Sequence, residues 1–209
     1  MTVMPNTSMN TNLHATFKRE IARIKRGLER TNLADAKSRE GLTRRYDFFS
    51  QSLHHHHRGE DQFLFGTVRS NASADELQIL DAMESEHEAM LATLNLLDEQ
   101  FASLSDQSDK EAIADNLDVL LGTLSQHCDH EESAGVPIVQ KYLTEENFKG
   151  FMQYNRKAPN ASLVFPWVCD GADQAVAAQT WGVLPGPVRL IAKPMMSRKY
   201  QRFTADCGV

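Results

Sequence analysis

Apolar residues recur at alternating steps of three and four along four stretches of the chain, the period of a helix with one buried face. In the first, from about residue 12 to 30, the stripe is Phe17, Ile21, Ile24 and Leu28, with His14 leading it. The second, from about 35 to 68, reads Leu42, Tyr46, Phe49, Leu53, His56, Glu60 and Phe63. The third, from about 74 to 104, reads Leu77, Leu80, Glu84, His87, Leu91, Leu94 and Phe101. The fourth, from about 109 to 143, reads Ile113, Leu117, Leu120, Leu124, His127 and Glu131. Ser73 with Glu76, and Ser108 with Glu111, have the spacing of capping boxes for the third and fourth helices. Gly66 and Asn71 mark the second connection, and Gly135 with Pro137 irregularises the fourth helix just past its His/Glu pair. Four helices with short connections predict an all-α, antiparallel up-down four-helix bundle.

Beyond about residue 144 the pattern changes. Pro159, Pro166, Pro185 and Pro187 punctuate a tail that also holds Trp167 and Trp181. One or two short helices, near residues 171–181 and 188–194, are expected to fold over the bundle. The expected division is a flexible N-terminus over residues 1–11, the bundle over 12–145, and a C-terminal extension packed on it over 146–209. The basic end, Arg198-Lys199-Tyr200-Gln201-Arg202, reads as a solvated terminus.

The chemistry lies in where polar residues interrupt the apolar stripes. His14, His56, Glu60, Glu84, His87, His127 and Glu131 all point inward on this reading. Burying so many ionisable groups costs several kcal/mol per unpaired charge, a cost that a bound cation removes. The second and fourth helices repeat one motif, Leu-x-x-His-x-x-x-Glu, at Leu53-His56-Glu60 and Leu124-His127-Glu131. His and Glu four apart share a helix face, so each pair can serve one metal site. Imidazole mixed with carboxylate suits iron or manganese. His57 stands one position off the stripe, equally placed as a ligand or a neighbour. Glu84, in Glu-x-x-His with His87, is a ligand or an acceptor behind His87, as Asp61 is behind the second helix. His130 belongs at the rim; His54 and His55 read as rim or surface; Cys128 reads as packing that faces away from His127.

Composition narrows the partners. A net charge of -6 and a pI near 5.7 argue against nucleic acid, whose phosphates call for a basic surface. No apolar run is long enough to span a bilayer, and the polar start does not read as a signal peptide. Three widely spaced cysteines make no disulfide framework, which fits a reducing cytoplasm.

In order and spacing, these residues resemble the hemerythrin-like, HHE cation-binding family. The strings that carry the resemblance are His56-His57-Arg58-Gly59-Glu60-Asp61, Met83-Glu84-Ser85-Glu86-His87 and His127-Cys128-Asp129-His130-Glu131-Glu132, preceded by His14. The tail strings Phe165-Pro166-Trp167 and Leu184-Pro185-Gly186-Pro187-Val188-Arg189 are similar to extensions of bacterial members. The resemblance implies an iron pair, oxo- or hydroxo-bridged, with manganese as the alternative, held by His14, His56, His57, Glu60, His87, His127 and Glu131. It implies dioxygen, peroxide or nitric oxide as the small ligand. The oxygen carriers have His-x-x-x-His on the third helix, whereas here Met83 stands four before His87. Either a coordination position is open, or His57 or Glu84 fills it. An oxygen- or peroxide-reactive protein is the expectation, beside a di-iron oxidase or oxygenase acting on a small organic substrate under a C-terminal lid, and an iron, oxygen or nitric oxide sensor or store.

Overall fold

A computed structural model describes residues 8–208. Those residues are all-helical, with no strand among them. Helix α1 is Ser8–Arg30 and α2 is Ala36–Gly59, which runs on through a π-helical turn, Glu60–Phe65, into Gly66–Val68. Helix α3 is Ala74–Ala102; α4 is Lys110–His130, which runs on through a second π-helical turn, Glu131–Gly135, into Val136–Tyr142. The C-terminal helices are α5, Glu145–Arg156; α6, Ala161–Cys169; α7, Gln174–Gly182; and α8, Gly186–Cys207. The expected flexible N-terminus lies outside the described residues up to Thr7, and Ser8 already belongs to α1.

Helix starts are set by side chains that accept otherwise unpaired backbone N–H groups. Asp35 accepts from Ser38 at the start of α2, and Ser73 and Glu76 form the expected reciprocal box on α3. On α4 the expected Ser108 box is replaced by Asp109, whose carboxylate accepts from both Glu111 and Ala112. Ser108 instead accepts from the Ser105 N–H in the turn before it.

The four long helices pack in cyclic order, α1 on α2, α2 on α3, α3 on α4, and α4 back on α1. Between them lies one large core that includes Phe17, Ile24, Leu42, Phe49, Leu94 and Leu120. A smaller cluster of Phe65, Val68, Leu80, Met83, Ile138, Val139 and Leu143 fills the far side of the two π-helical turns. The stripes of α1 and α4 are as expected. That of α3 is shifted by one position: Leu80, Met83, His87, Met90, Leu94, Leu97 and Phe101 are buried, while Glu84 and Leu91 are exposed. On α2, Phe65 takes the buried place expected for Phe63, because the π-helical turn inserts a residue between them and Glu60. Phe63 packs on Tyr154 of α5 instead, with ring centroids 5.1 Å apart.

The tail is more helical than its prolines suggest. Helix α8 continues past Pro194, which lacks an N–H for the Leu190 carbonyl. Leu190 and Ile191 are 79% and 73% exposed, so water can satisfy that carbonyl. The C-terminal end of α8 presses against α2 at Gly41, where a Cβ would stand 2.3 Å from the Cys207 carbonyl oxygen. Tyr200, in the basic segment expected to be solvated, is buried and donates to Asp170 Oδ2 at 2.8 Å. Trp167 of α6 enters the main core, edge-on to Phe17 and Phe48. Its indole N–H donates at 3.0 Å to Glu20, which a buried Arg45 also grips through two nitrogens, at 2.5 and 3.2 Å. No helix is long and apolar enough to cross a membrane among the described residues.

Candidate metal centre

His14 of α1, His56 and Glu60 of α2, His87 of α3, and His127 and Glu131 of α4 are all buried at one level of the bundle. Both copies of the Leu-x-x-His-x-x-x-Glu motif end on the first residue of a π-helical turn. There the Gly66 N–H reaches the Asp61 carbonyl and the Val136 N–H reaches the Glu131 carbonyl, the wider i+5 bonding of a π-bulge. A Cβ on Gly66 would lie 2.5 Å from that Asp61 oxygen, so glycine lets the turn close. Pro137 has no N–H to give, which favours the same break in the α4 ladder.

Ligand-type atoms fall within 4.8 Å of one another in three groups: His14, His56 and Glu60; His57, His87 and His127; and Glu60, His127 and Glu131. The glutamates span the histidines. Glu60 Oε1 is 3.2 Å from His56 Nε2, and its Oε2 is 3.8 Å from His87 Nε2. Glu131 Oε2 is 3.1 Å from His14 Nε2 and 3.7 Å from His127 Nε2. His57 stacks on His87 with centroids 4.3 Å apart and planes 19° from parallel.

The outer imidazole nitrogens fix the tautomers. His14 Nδ1 donates to Glu132 at 2.8 Å, His87 Nδ1 to Asp61 at 2.7 Å, and His127 Nδ1 to Glu86 at 2.9 Å. Ionised carboxylates only accept, so each Nδ1 carries the proton and, in the neutral ring, Nε2 turns its lone pair inward. His14 Nε2 nevertheless faces His56 Nε2 at 3.1 Å, and His87 Nε2 faces His127 Nε2 at 3.0 Å. His57 Nε2, both Glu60 oxygens and Glu131 Oε2 are buried with no hydrogen-bond partner. Imidazole Nε2 atoms facing one another, with orphaned carboxylate oxygens between them, make a cradle whose missing partner is cationic.

Electrostatics point the same way. Burial, reinforced by the neighbouring imidazoles, holds His56 and His57 well below the usual histidine range, and burial lowers His127. For His14, burial opposes the charged form, but contacts with Cys128 and Glu131 outweigh it and raise the pKa. Burial and the nearby Glu131 push the Glu60 carboxyl well up, whereas Glu131 is held at about 2 because His14 outweighs its burial.

Residues 10–139 match the Hemerythrin HHE cation binding domain. The chain belongs to this family. No curated protein and no solved structure matches it. Membership of the hemerythrin HHE family implies metal binding, typically of iron, and the His/Glu groups supply donors for it.

Within this HHE domain the structure brings His57 into the constellation and leaves Glu84 out. Glu84 is 64% exposed and pairs with Arg69 on the surface, so it neither reaches the site nor backs His87. Asp61 does back His87, and His130 sits at the rim on Glu86. Cys128 is fully buried in the main core, the packing role expected of it, and it helps to raise the pKa of His14. His54 pairs with Asp98, and His55 stacks on Tyr154 under the C-terminal helices rather than lying open. Three contributors were not singled out: Glu86, Glu132, and Asn10, which donates to Glu131 Oε1 at 2.9 Å. Glu86 and Glu132 stand inside the family strings, each next to an inward residue; Asn10 has no such signal.

Met83 is fully buried in the apolar cluster beyond the π-helical turns. With His57 stacked on His87, Met83→His adds a polar ring to that cluster. The expected result is a loss of about 1–3 kcal/mol in urea unfolding with iron content unchanged. More iron in the variant would show that a ligand position near Met83 had been waiting for a histidine.

Proposed function

We propose that the protein holds a pair of irons between His14, His56, Glu60, His57, His87, His127 and Glu131, and reacts there with dioxygen or peroxide. Manganese is the alternative metal, and nitric oxide is a further ligand of the same class. The observation that carries this reading is the convergence of imidazole Nε2 atoms and unpartnered Glu60 and Glu131 oxygens in one buried space. The antiparallel course of the bundle, its extent over residues 12–145 with 146–209 as a cover, and a cytoplasmic setting belong to the same reading. The cyclic packing of the helices and the three free cysteines support it.

An iron pair held by these residues would supply the electrons for reducing dioxygen or peroxide. The chain's residues do the positioning. Asp61, Glu86 and Glu132 lock three imidazoles with Nε2 inward, and Asn10 holds Glu131. The main core on one side and the Met83 cluster on the other keep bulk water out.

Metal analysis with an ultraviolet–visible spectrum tests the reading. About two irons per chain are expected, as in other di-iron bundles; protein that is purified and reconstituted with iron yet stays colourless and metal-free would sink it. Rapid mixing of reduced protein with dioxygen then separates two roles. A spectrum that persists marks a carrier, store or sensor, and one that decays marks turnover. An oxidase or oxygenase acting on a small organic molecule is the second reading, favoured by an apolar cavity that touches His56 and Glu131.

Metal and stability should be linked, because the cradle exists only in the folded chain. At iron about a hundredfold above its Kd, the linkage is about 2.7 kcal/mol, or roughly 5–10 °C in Tm for a chain this long. Calorimetry of chelator-stripped against loaded protein measures it; coincident melting curves would argue against a buried site.

A further inference from the structure

A cavity of about 620 Å³ lies between the bundle and the C-terminal helices. That is within the range of small-molecule sites, roughly 300–1,000 Å³. Its wall is mostly apolar, with Phe148, Phe151, Met152, Val164 and Phe165 among the contributors from α5 and α6. Where it meets the bundle it is lined by Leu13, His56 and Glu131, so its contents touch two of the groups assigned to the metal. Trp167, anchored by Glu20, forms part of the same wall.

Ser52 and His55 of α2 and Asn155 and Arg156 of α5 break the apolar lining at the seam of the two helices, and two of them matter most. His55 Nε2 is buried with no hydrogen-bond partner, and its ring is fixed by face-to-face stacking on Tyr154, 4.0 Å away and 4° from parallel. Arg156, at the end of α5, lines the cavity, is exposed, and makes no ion pair among the described residues. A fixed imidazole nitrogen and a free guanidinium beside an apolar chamber suit a molecule with one anionic head and an apolar body.

We infer that this cavity binds an apolar organic molecule bearing a single carboxylate-type head, held by Arg156 and His55, with its body against His56 and Glu131. As the substrate site of the proposed iron centre this rests on that reading; as a binding site it stands on the cavity alone. The C-terminal helices are then a substrate-binding cover for the bundle.

Decanoate, with decanol as its uncharged counterpart, is the probe. Titration calorimetry of the full chain, both metal-free and iron-loaded, should show decanoate binding at least about tenfold more tightly than decanol, the loss expected for one charge-assisted contact. Arg156→Ala should bring decanoate down to the decanol level. Val164→Trp, which fills the chamber from a half-buried position, should weaken both by about tenfold or more at wild-type iron content. Should that variant misfold, the exposed Arg156 keeps the test intact. No binding of either probe to wild type, or binding that neither variant changes, overturns the site. Equal affinity for decanol overturns the anionic head. Decanoate should also shift the visible spectrum of the iron-loaded protein; binding without a shift overturns its place beside the centre. Binding by protein that never takes up iron leaves the cavity site standing and removes the iron reading instead.

Discussion

His127→Ala should cost at least about 100-fold in iron affinity and leave the purified protein with little of its metal. The estimate starts from residues that only support a ligand, whose loss typically costs about 10–100-fold, and His127 is better placed than those. Its Nε2 belongs to two of the three donor groups, and its Nδ1 is held by Glu86. Removing it also strands Glu86, which then supports His130 alone. Competition with a coloured chelator measures the effect. Glu86→Ala should fall in the 10–100-fold range itself, and Glu84→Ala, on the exposed side of α3, should change nothing. Full iron occupancy in His127→Ala would mean that the metal sits elsewhere.

Glu20→Ala should destabilise the fold by about 3–5 kcal/mol, the usual cost of removing one partner from a buried ion pair. Glu20 is almost completely buried and satisfies Arg45 and the Trp167 indole together. Without it the buried guanidinium loses its two contacts to Glu20, the indole N–H loses its acceptor, and the link between α1, α2 and α6 is cut. Urea unfolding reads the loss, and the double variant Glu20→Ala/Arg45→Met should recover much of it, because the buried charge that Glu20 faced goes too. A single-variant loss below about 1 kcal/mol, in the range of an exposed pair, would show that water reaches the pair. Because Trp167 also lines the cavity, decanoate affinity should fall in Glu20→Ala even where the chain remains folded.

The helical period was legible because apolar residues on α1 and α4 fall on one face with polar residues opposite. On α3 it was ambiguous: Leu77, Leu80, Glu84, His87 and Leu91 keep the same spacing as Leu80, Met83, His87 and Met90, one position away. Packing chose the second set, since two methionines fill the core without a buried carboxylate. That ambiguity, together with the Glu-x-x-His spacing to His87, is what points Glu84 at the site. The His56–Glu60 and His127–Glu131 pairs were readable because their Leu-x-x-His-x-x-x-Glu context repeats. The carboxylates behind the imidazoles were less so, since an acidic residue beside an inward one normally faces solvent. The tail's helices were obscured by prolines, which count as breakers only where the freed carbonyl has no water. The Glu20–Arg45–Trp167 link joins distant parts of the chain and left no local pattern.

The π-helical turns give the two motif helices a property best put in terms of reading frame. Each adds one residue to a helix, which in a regular helix would turn everything after it by about 100°; the wider turn absorbs that rotation. The stretch before Glu60 and the stretch after Phe65 are therefore in different frames, and both frames are inward. Deleting one residue inside the turn, Gln62 for example, would merge them into a regular helix. His56 and Glu60 would keep their face, and Phe65 and Val68, now four and seven residues past Glu60, would keep theirs beside Met83. The inserted residue therefore leaves the packing on both sides of the polar centre as a regular helix would have it, and what it changes is the turn itself, where Glu60 and Asp61 stand.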